Sequence, residues 1–312
     1  MADYLQPEAS GVKLTFYRGE MPNFGDELNT YLWPKLLPSA FLDEDESELF
    51  LGIGSIIWDF LPASAHKFIL GSGFGGYSGL PNLHDGSWTP VFVRGPRTAQ
   101  LLGLPPELAI CDSAILLRNV GLDHTVGRSG VGFMPHFESL GRGSWPEACA
   151  LANIKFIDPT APVPQILADL AGLECLVTEA MHGAIVADAL RTPWVAARPI
   201  HQLHHAKWQD WSAALDTTIR WQDLYPSNGK ELYFKLTKGQ RYYEGRANAL
   251  RHHPAFAVPN RLLTQLAAAR LSVIARAEPQ LSSDRVIAEV TERATAALYG
   301  FVEARRQRTI AS

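Results

Sequence analysis

Apolar residues along this chain fall into short runs separated by longer stretches with helical spacing. Lys13–Tyr17 reads as a strand, followed by the polar turn Asn23-Phe24-Gly25-Asp26 and a helix over Glu27–Leu37. Leu49–Ile53, Phe68–Leu70 and Val91–Val93 read as buried strands. They end in Gly52-Ile53-Gly54-Ser55, Gly71-Ser72-Gly73-Phe74-Gly75-Gly76 and Arg94-Gly95-Pro96-Arg97. Pro96 suits the first turn of a helix that Thr98–Leu102 continues. A strand-like apolar run, Ile110–Leu117, closes this half. After the polar spacer Asp123–Ser129 the rhythm restarts. Strands are expected at Val131–Met134, Lys155–Ile157, Cys175–Thr178 and Trp194–Ala197, with helices at Trp145–Asn153, Pro164–Leu173 and His182–Leu190 between them.

Short strands alternating with helices predict an α/β fold of parallel sheets covered on both faces. The expected architecture is two Rossmann-like lobes facing a cleft, residues 1–125 and 126–230, with a helical extension over 231–312. In that extension Leu262–Ala275 and Val286–Val302 have helical spacing, interrupted at Pro279–Ser283. These helices either pack across the lobes or offer the basic end, Arg305, Arg306 and Arg308, to anionic lipid or a partner. Ligands of such folds bind beyond the carboxyl ends of the strands, where the glycine turns sit.

Composition narrows the classes. Hydrophobic residues make up 46% of the 312 and the net charge is −4, so core material is ample and no basic excess points to nucleic acid. The cysteines, Cys111, Cys149 and Cys175, form no CxxC pair and no disulfide framework. Met1–Gly11 lacks a basic start followed by an apolar stretch, and no apolar run reaches the roughly 18 residues of a spanning helix. A soluble cytoplasmic protein is expected.

Several turns could carry chemistry. The glycines of Gly71–Gly76 let backbone N–H groups converge on an anion, or merely make a tight turn. Arg94 and Arg97, at a strand end beside a helix start, suit a multiply charged anion; the alternative is surface salt bridging. His182 in Thr178-Glu179-Ala180-Met181-His182-Gly183 heads an apolar helix, where it either exchanges protons near neutral pH or caps and packs. Asp26 either contacts sugar hydroxyls or caps its helix. Asp112, flanked by apolar residues, is expected to satisfy backbone amides. His136 lies just past a strand end, and Trp58 and Trp88 could stack on sugars or pack in the core or rim. Arg198–Trp211 holds His201, His204, His205, Lys207 and Trp208, but no carboxylate or cysteine there completes a metal site, so none is expected. Lys207 beside Trp208 suits an anionic group and a sugar face.

The ordered set Asn23–Glu27, Gly52–Ser55, Gly71–Gly73, Val93–Pro96, Cys111–Ala114 and Thr178–Gly183 resembles the polysaccharide pyruvyl transferase family, over roughly residues 12 to 215. Its nearest likeness is to the ketal pyruvate transferases of the succinoglycan and xanthan types. The resemblance implies a fold like the B-type glycosyltransferases, with phosphoenolpyruvate as donor substrate and no further cofactor. It implies that His182 protonates the donor methylene, that Arg94 holds donor phosphate or carboxylate, and that Asp26 lies near the acceptor sugar. Arg97, Gly73, Met181 and Lys207 would join Arg94 around the donor, and Asn23, His136 and Trp208 would face the acceptor. That acceptor would be a saccharide, commonly lipid-linked, with peripheral association at the inner face of the plasma membrane. Many relatives carry Arg-Leu-His-Gly where this chain has Ala180-Met181-His182-Gly183; Arg97, Lys207 or Arg198 would then stand in for the arginine absent at 180. Two other functions stay open: a nucleotide-sugar-dependent glycosyltransferase of the B fold, and a non-catalytic saccharide-binding subunit.

Overall fold

The computed structural model describes residues 11–121, 127–238 and 244–311. Its strands form two five-stranded sheets, parallel throughout. The first joins β1 (Val12–Thr15), β2 (Leu42–Asp43), β3 (Glu48–Leu51), β4 (His66–Leu70) and β5 (Trp88–Phe92) in the order β2-β1-β3-β4-β5. The second joins β6 (Val131–Met134), β7 (Lys155–Phe156), β8 (Cys175–Thr178), β9 (Trp194–Ala197) and β10 (Trp221–Gln222) in the order β10-β9-β8-β6-β7. Read in chain order the two paths are the same. Each sheet starts in the interior, steps one place outward, then returns past its first strand. The order therefore switches between β1 and β3 and again between β6 and β8. At such a point adjacent connections leave on opposite faces and open a crevice at the carboxyl ends of the strands.

The strands are buried on both faces, as parallel sheets require. Phe50, Leu51, Ile69, Leu70, Leu176 and Val177 are fully buried. All of the following covering helices but α3 lie where the sequence spacing places a helix. These are α1 (Phe24–Leu36), α2 (Pro96–Leu101), α3 (Phe137–Leu140), α4 (Trp145–Ala152), α5 (Val163–Ala171) and α6 (Met181–Ala189). Helix α1 starts at Phe24 rather than Glu27, so Gly25 and Asp26 belong to its first turn. The run Ile110–Leu117 is not a strand: a 3₁₀ segment occupies Ser113–Asn119, its first N–H groups capped by Asp112. Because that run is buried on all sides, it has no period to distinguish helix from strand. Helix α7 (Gln202–Ala214) fills the histidine-rich stretch; its buried face mixes His204, Trp208, Asp210 and Trp211, which hides the usual apolar stripe.

One apolar core runs from the first sheet to the second. Leu28 and Leu32 of α1 share a cluster with Ile166 and Leu170 of α5 and Ile185 of α6. Beyond α8 (Gly229–Leu236) and α9 (Glu244–His252), α10 (Ala257–Ile274) packs on α4. Gln280 then pairs with Trp194 in an antiparallel bridge, and α11 (Asp284–Ala311) returns to the first sheet. There Phe301 meets Phe41, Phe50 and Phe68, and Arg305 pairs with Glu48. Among the described residues no helix is long and apolar enough to cross a membrane. The boundary expected at 125/126 lies outside the described residues, and the one at 230/231 falls within α8.

Candidate active site

A cavity of about 600 Å³ lies over both switch points. From the first half come Phe16–Arg18 after β1, Asn23–Asp26 at the head of α1, and Gly54–Ile56 after β3. From the second half come His136–Glu138 after β6, Ala180–His182 at the head of α6, and His204, Lys207 and Trp208 of α7. The wall thus consists of strand ends and helix starts, where backbone N–H groups lack intrahelical partners. No side chain caps either α1 or α6. Both helices therefore present positive ends to the cavity, a setting that attracts anions.

His182 occupies the junction of the halves. Its Nε2 lies 3.5 Å from Asp112 Oδ2. That carboxylate is fully buried; its other oxygen accepts from Ala114 N at 3.0 Å. On the opposite edge of the ring, His182 Nδ1 sits where a Cβ on Gly25 would fall, 1.9 Å away. Glycine at 25 is therefore a requirement of close approach: any side chain would drive the imidazole out. Gly183 answers a similar need, because a Cβ there would meet Thr178 Oγ1 at 2.7 Å and Met134 Sδ at 2.9 Å.

Asp26 is nearly buried and accepts from Asn23 Nδ2 at 2.7 Å. Burial pushes its pKa up, against the opposing pull of Asn23, His182 and Lys207. Lys207 Nζ lies over the Tyr77 ring at 5.3 Å. Burial and the nearby Arg94 guanidinium push its pKa down to about 8, with Asp26 and Glu138 acting the other way. Across the cavity Glu138 receives Arg142 Nη1 at 3.1 Å and faces His136 and His204. Burial alone would raise its carboxyl, but His204, His136 and Arg142 outweigh it and hold the group well below the ordinary range. Burial pushes both imidazoles down: His136 falls well below its ordinary value and His204 to about 4. The rim is aromatic, with Trp58 stacked on the exposed Phe60 at 5.1 Å and Tyr17 beside them.

Residues 23–198 match the polysaccharide pyruvyl transferase family. The chain belongs to this family. It is also 34% identical over 323 residues to the succinoglycan biosynthesis protein ExoV of Rhizobium meliloti (strain 1021), covering 93% of this chain and 98% of that protein. The span matched to the pyruvyl transferase family runs from the head of α1 to just past β9. It includes Asn23, Asp26, His136 and His182 but stops before α7, so Lys207 and His204 enter the cavity from outside it.

In this pyruvyl transferase family member, most residues singled out from sequence meet at the cavity. Asn23, Asp26, His136, Met181, His182, Lys207 and Trp208 all line it. Trp208 does so from within the core, fully buried against Trp194, Trp211 and Trp221. Open aromatic faces come instead from Trp58 and Phe60. Arg94 stands behind the wall rather than on it. It is fully buried, its Nε 3.2 Å from Asp210 Oδ2 and its Nη1 2.7 Å from Ser55 Oγ, which does line the cavity. It makes no surface salt bridge. Gly73 lies against this guanidinium, where a Cβ would fall 2.1 Å from Arg94 Cζ. Arg97 reaches the Phe74 carbonyl at 3.5 Å, and Arg198 pairs with Asp223 beside a separate, smaller cavity. Of the candidates to replace the arginine absent at 180, Lys207 is the one that lines the cavity.

Several residues of the site carry no signal in the sequence, among them Phe60 and Tyr17 of the rim. Arg18 follows β1 with no motif around it. Glu138 sits in a one-turn helix. Tyr77 lies in the long turn after β4, its hydroxyl 3.2 Å from His204 Nδ1. Asp112 was read only as a backbone cap; that reading accounts for Oδ1 and misses the Oδ2 aimed at His182. The three histidines part ways: His201 caps α7 with its ring 5.3 Å from that of His204, His205 meets the Pro199 carbonyl, and His204 also faces His136.

Proposed function

We propose that the chain transfers the enolpyruvyl group of phosphoenolpyruvate to a sugar of an exopolysaccharide repeat unit and closes it into a pyruvate ketal, releasing phosphate. The observation that carries this reading is the placement of His182. One imidazole, backed by a buried carboxylate, shares a cavity wall with two uncapped helix starts, Lys207 and the perturbed carboxylate Asp26. A proton donor, sites for two anionic groups and an acceptor for hydroxyl protons are the parts this reaction demands.

The steps follow from these parts. Asp112 faces Nε2 of His182 at 3.5 Å, which leaves Nδ1 to deliver a proton to C3 of phosphoenolpyruvate. C2 becomes cationic and is attacked by a sugar hydroxyl, whose proton passes to Asp26. Phosphate leaves with the C2–O bond electrons and takes up the proton held by Asp26, and a second hydroxyl of the same sugar attacks C2 to close the ketal, its proton returning to Nδ1 of His182. Lys207 and the heads of α1 and α6 hold phosphate and carboxylate. Arg94 acts through Ser55 and through its field rather than by contact. The aromatic rim of Trp58, Phe60 and Tyr17 offers apolar faces to the acceptor sugar. Location at the cytoplasmic side of the membrane, with a lipid-linked acceptor, fits this role.

The test is phosphate release from phosphoenolpyruvate, with and without a panel of glucosides, galactosides and mannosides. Release that requires one of the sugars, and falls about 10²–10⁴-fold in His182→Ala, supports the reading. Heat stabilisation by nucleotide sugars but not by phosphoenolpyruvate would replace it with glycosyl transfer.

A further inference from the structure

The wall made by the β6–α3 turn and α7 holds a second cluster that the transfer chemistry does not use. His136, Glu138 and His204 each present a ligand atom, all within 4.8 Å of one another. Glu138 Oε2 stands 3.9 Å from His136 Nδ1 and 3.7 Å from His204 Nε2, too far for hydrogen bonds. Both ring nitrogens are buried and have no hydrogen-bond partner among the described residues. His204 as a whole is only 6% exposed. One shared proton could satisfy one ring and leave the other orphaned at a cost. A divalent ion would satisfy all three groups together.

The dimensions suit one. Bonds of about 2.0–2.2 Å to nitrogen and oxygen place tetrahedral ligand atoms about 3.3–3.6 Å apart, so Glu138 Oε2 at 3.9 and 3.7 Å needs to close only a little on each imidazole nitrogen. Outer partners are already in place. The Tyr77 hydroxyl lies 3.2 Å from His204 Nδ1, and Arg142 Nη1 lies 3.1 Å from Glu138 Oε2. Such contacts orient a ligating imidazole and a ligating carboxylate. Two imidazoles and one carboxylate, without a thiolate, favour zinc-class ions over magnesium or calcium. The remaining side faces the cavity, which all three residues line.

We propose that His136 Nδ1, His204 Nε2 and the Glu138 carboxylate bind one divalent transition ion of the zinc class. Its open position faces the cavity, where an oxygen of the bound substrate completes the coordination. Occupancy of this site does not depend on the pyruvyl transfer reading. That the ion would meet substrate there does.

The probe is Co²⁺, titrated into chelator-stripped full-length protein without a histidine tag, read by visible absorption and equilibrium dialysis. One Co²⁺ per chain is expected, with an intense low-symmetry band that Zn²⁺ removes by displacement. His204→Ala and Glu138→Gln should each weaken binding at least about tenfold. His205→Gln, whose ring meets the Pro199 carbonyl instead, should bind as the parent does. Failure of the folded parent to take up stoichiometric Co²⁺ overturns the proposal. So does parent-like affinity in Glu138→Gln, a variant that keeps the side-chain shape and reports even where His204→Ala does not fold.

Discussion

The acid assigned to His182 depends on the carboxylate behind it. Asp112 is fully buried, one oxygen is committed to Ala114 N, and the other, with no hydrogen-bond partner among the described residues, lies 3.5 Å from the imidazole. In the proposed transfer it positions the ring. Asp112→Asn should therefore lower kcat at least about tenfold while leaving KM for phosphoenolpyruvate little changed, because the donor does not touch it. Equal losses in both constants would assign Asp112 to binding instead. Lys207 makes a different prediction. Its pKa of about 8 lies below the ordinary 10.5 of a lysine, so its charge is present at neutral pH and lost as pH rises through about 8. On the free enzyme this appears as an alkaline fall in kcat/KM for phosphoenolpyruvate. Lys207→Arg, which stays charged, should flatten that limb; an unchanged limb would place the titration elsewhere. Neither behaviour was legible from the sequence, where Asp112 is an acid among apolar residues and Lys207 one cation among several. Both become specific only through neighbours far away in the chain.

At the scale of elements the site rests on how α1 is seated. Asn29 is fully buried, and its side chain makes four hydrogen bonds. Its Oδ1 accepts from Ile53 N and Trp33 Nε1, and its Nδ2 donates to the carbonyls of Ile53 and Asp26. The amide thus ties the first turn of α1 to the turn after β3, two segments that both line the cavity. Asn29→Ala would orphan buried groups on both elements and should cost about 2–5 kcal/mol in urea unfolding. A cost within error of zero would show that water replaces the amide. Much of this layer was readable beforehand. Eight of the strands lie where strand-like runs were expected, and His182 stands at the head of the expected helix. What failed were elements whose burial is mixed or complete. The 3₁₀ segment Ser113–Asn119 has no exposed face to give a period, and α7 buries His204 and Asp210 beside its tryptophans. Very short edge strands such as β2 and β10 carry too few residues to alternate.

The whole molecule is held by contacts that cross from one sheet to the other, and Arg94 is the clearest of them. It was expected to hold an anion from solution; instead its partner is Asp210 of α7, with both side chains fully buried. Asp210 also receives the backbone N–H and hydroxyl of Thr98, so the start of α2 is fastened to the second half. Gly95 is part of the same fit, since a Cβ there would fall 2.0 Å from the Asp210 carbonyl. Breaking one side of a buried ion pair costs about 3–5 kcal/mol, because the other charge is stranded, whereas an apolar pair of similar size is often tolerated. Asp210→Asn should therefore lower stability by that order, and Arg94→Met combined with Asp210→Leu should recover the part due to the stranded charge, while the Thr98 N–H and hydroxyl still lose their acceptor. The double variant also tests the link from frame to chemistry. Arg94 helps depress Lys207, so removing the guanidinium should let that lysine keep its proton to higher pH. The alkaline limb of kcat/KM for phosphoenolpyruvate should then move upward from about 8. A limb that stays in place, in a double variant that folds, would mean that the buried pair only fastens the halves and that its field does not reach the donor site.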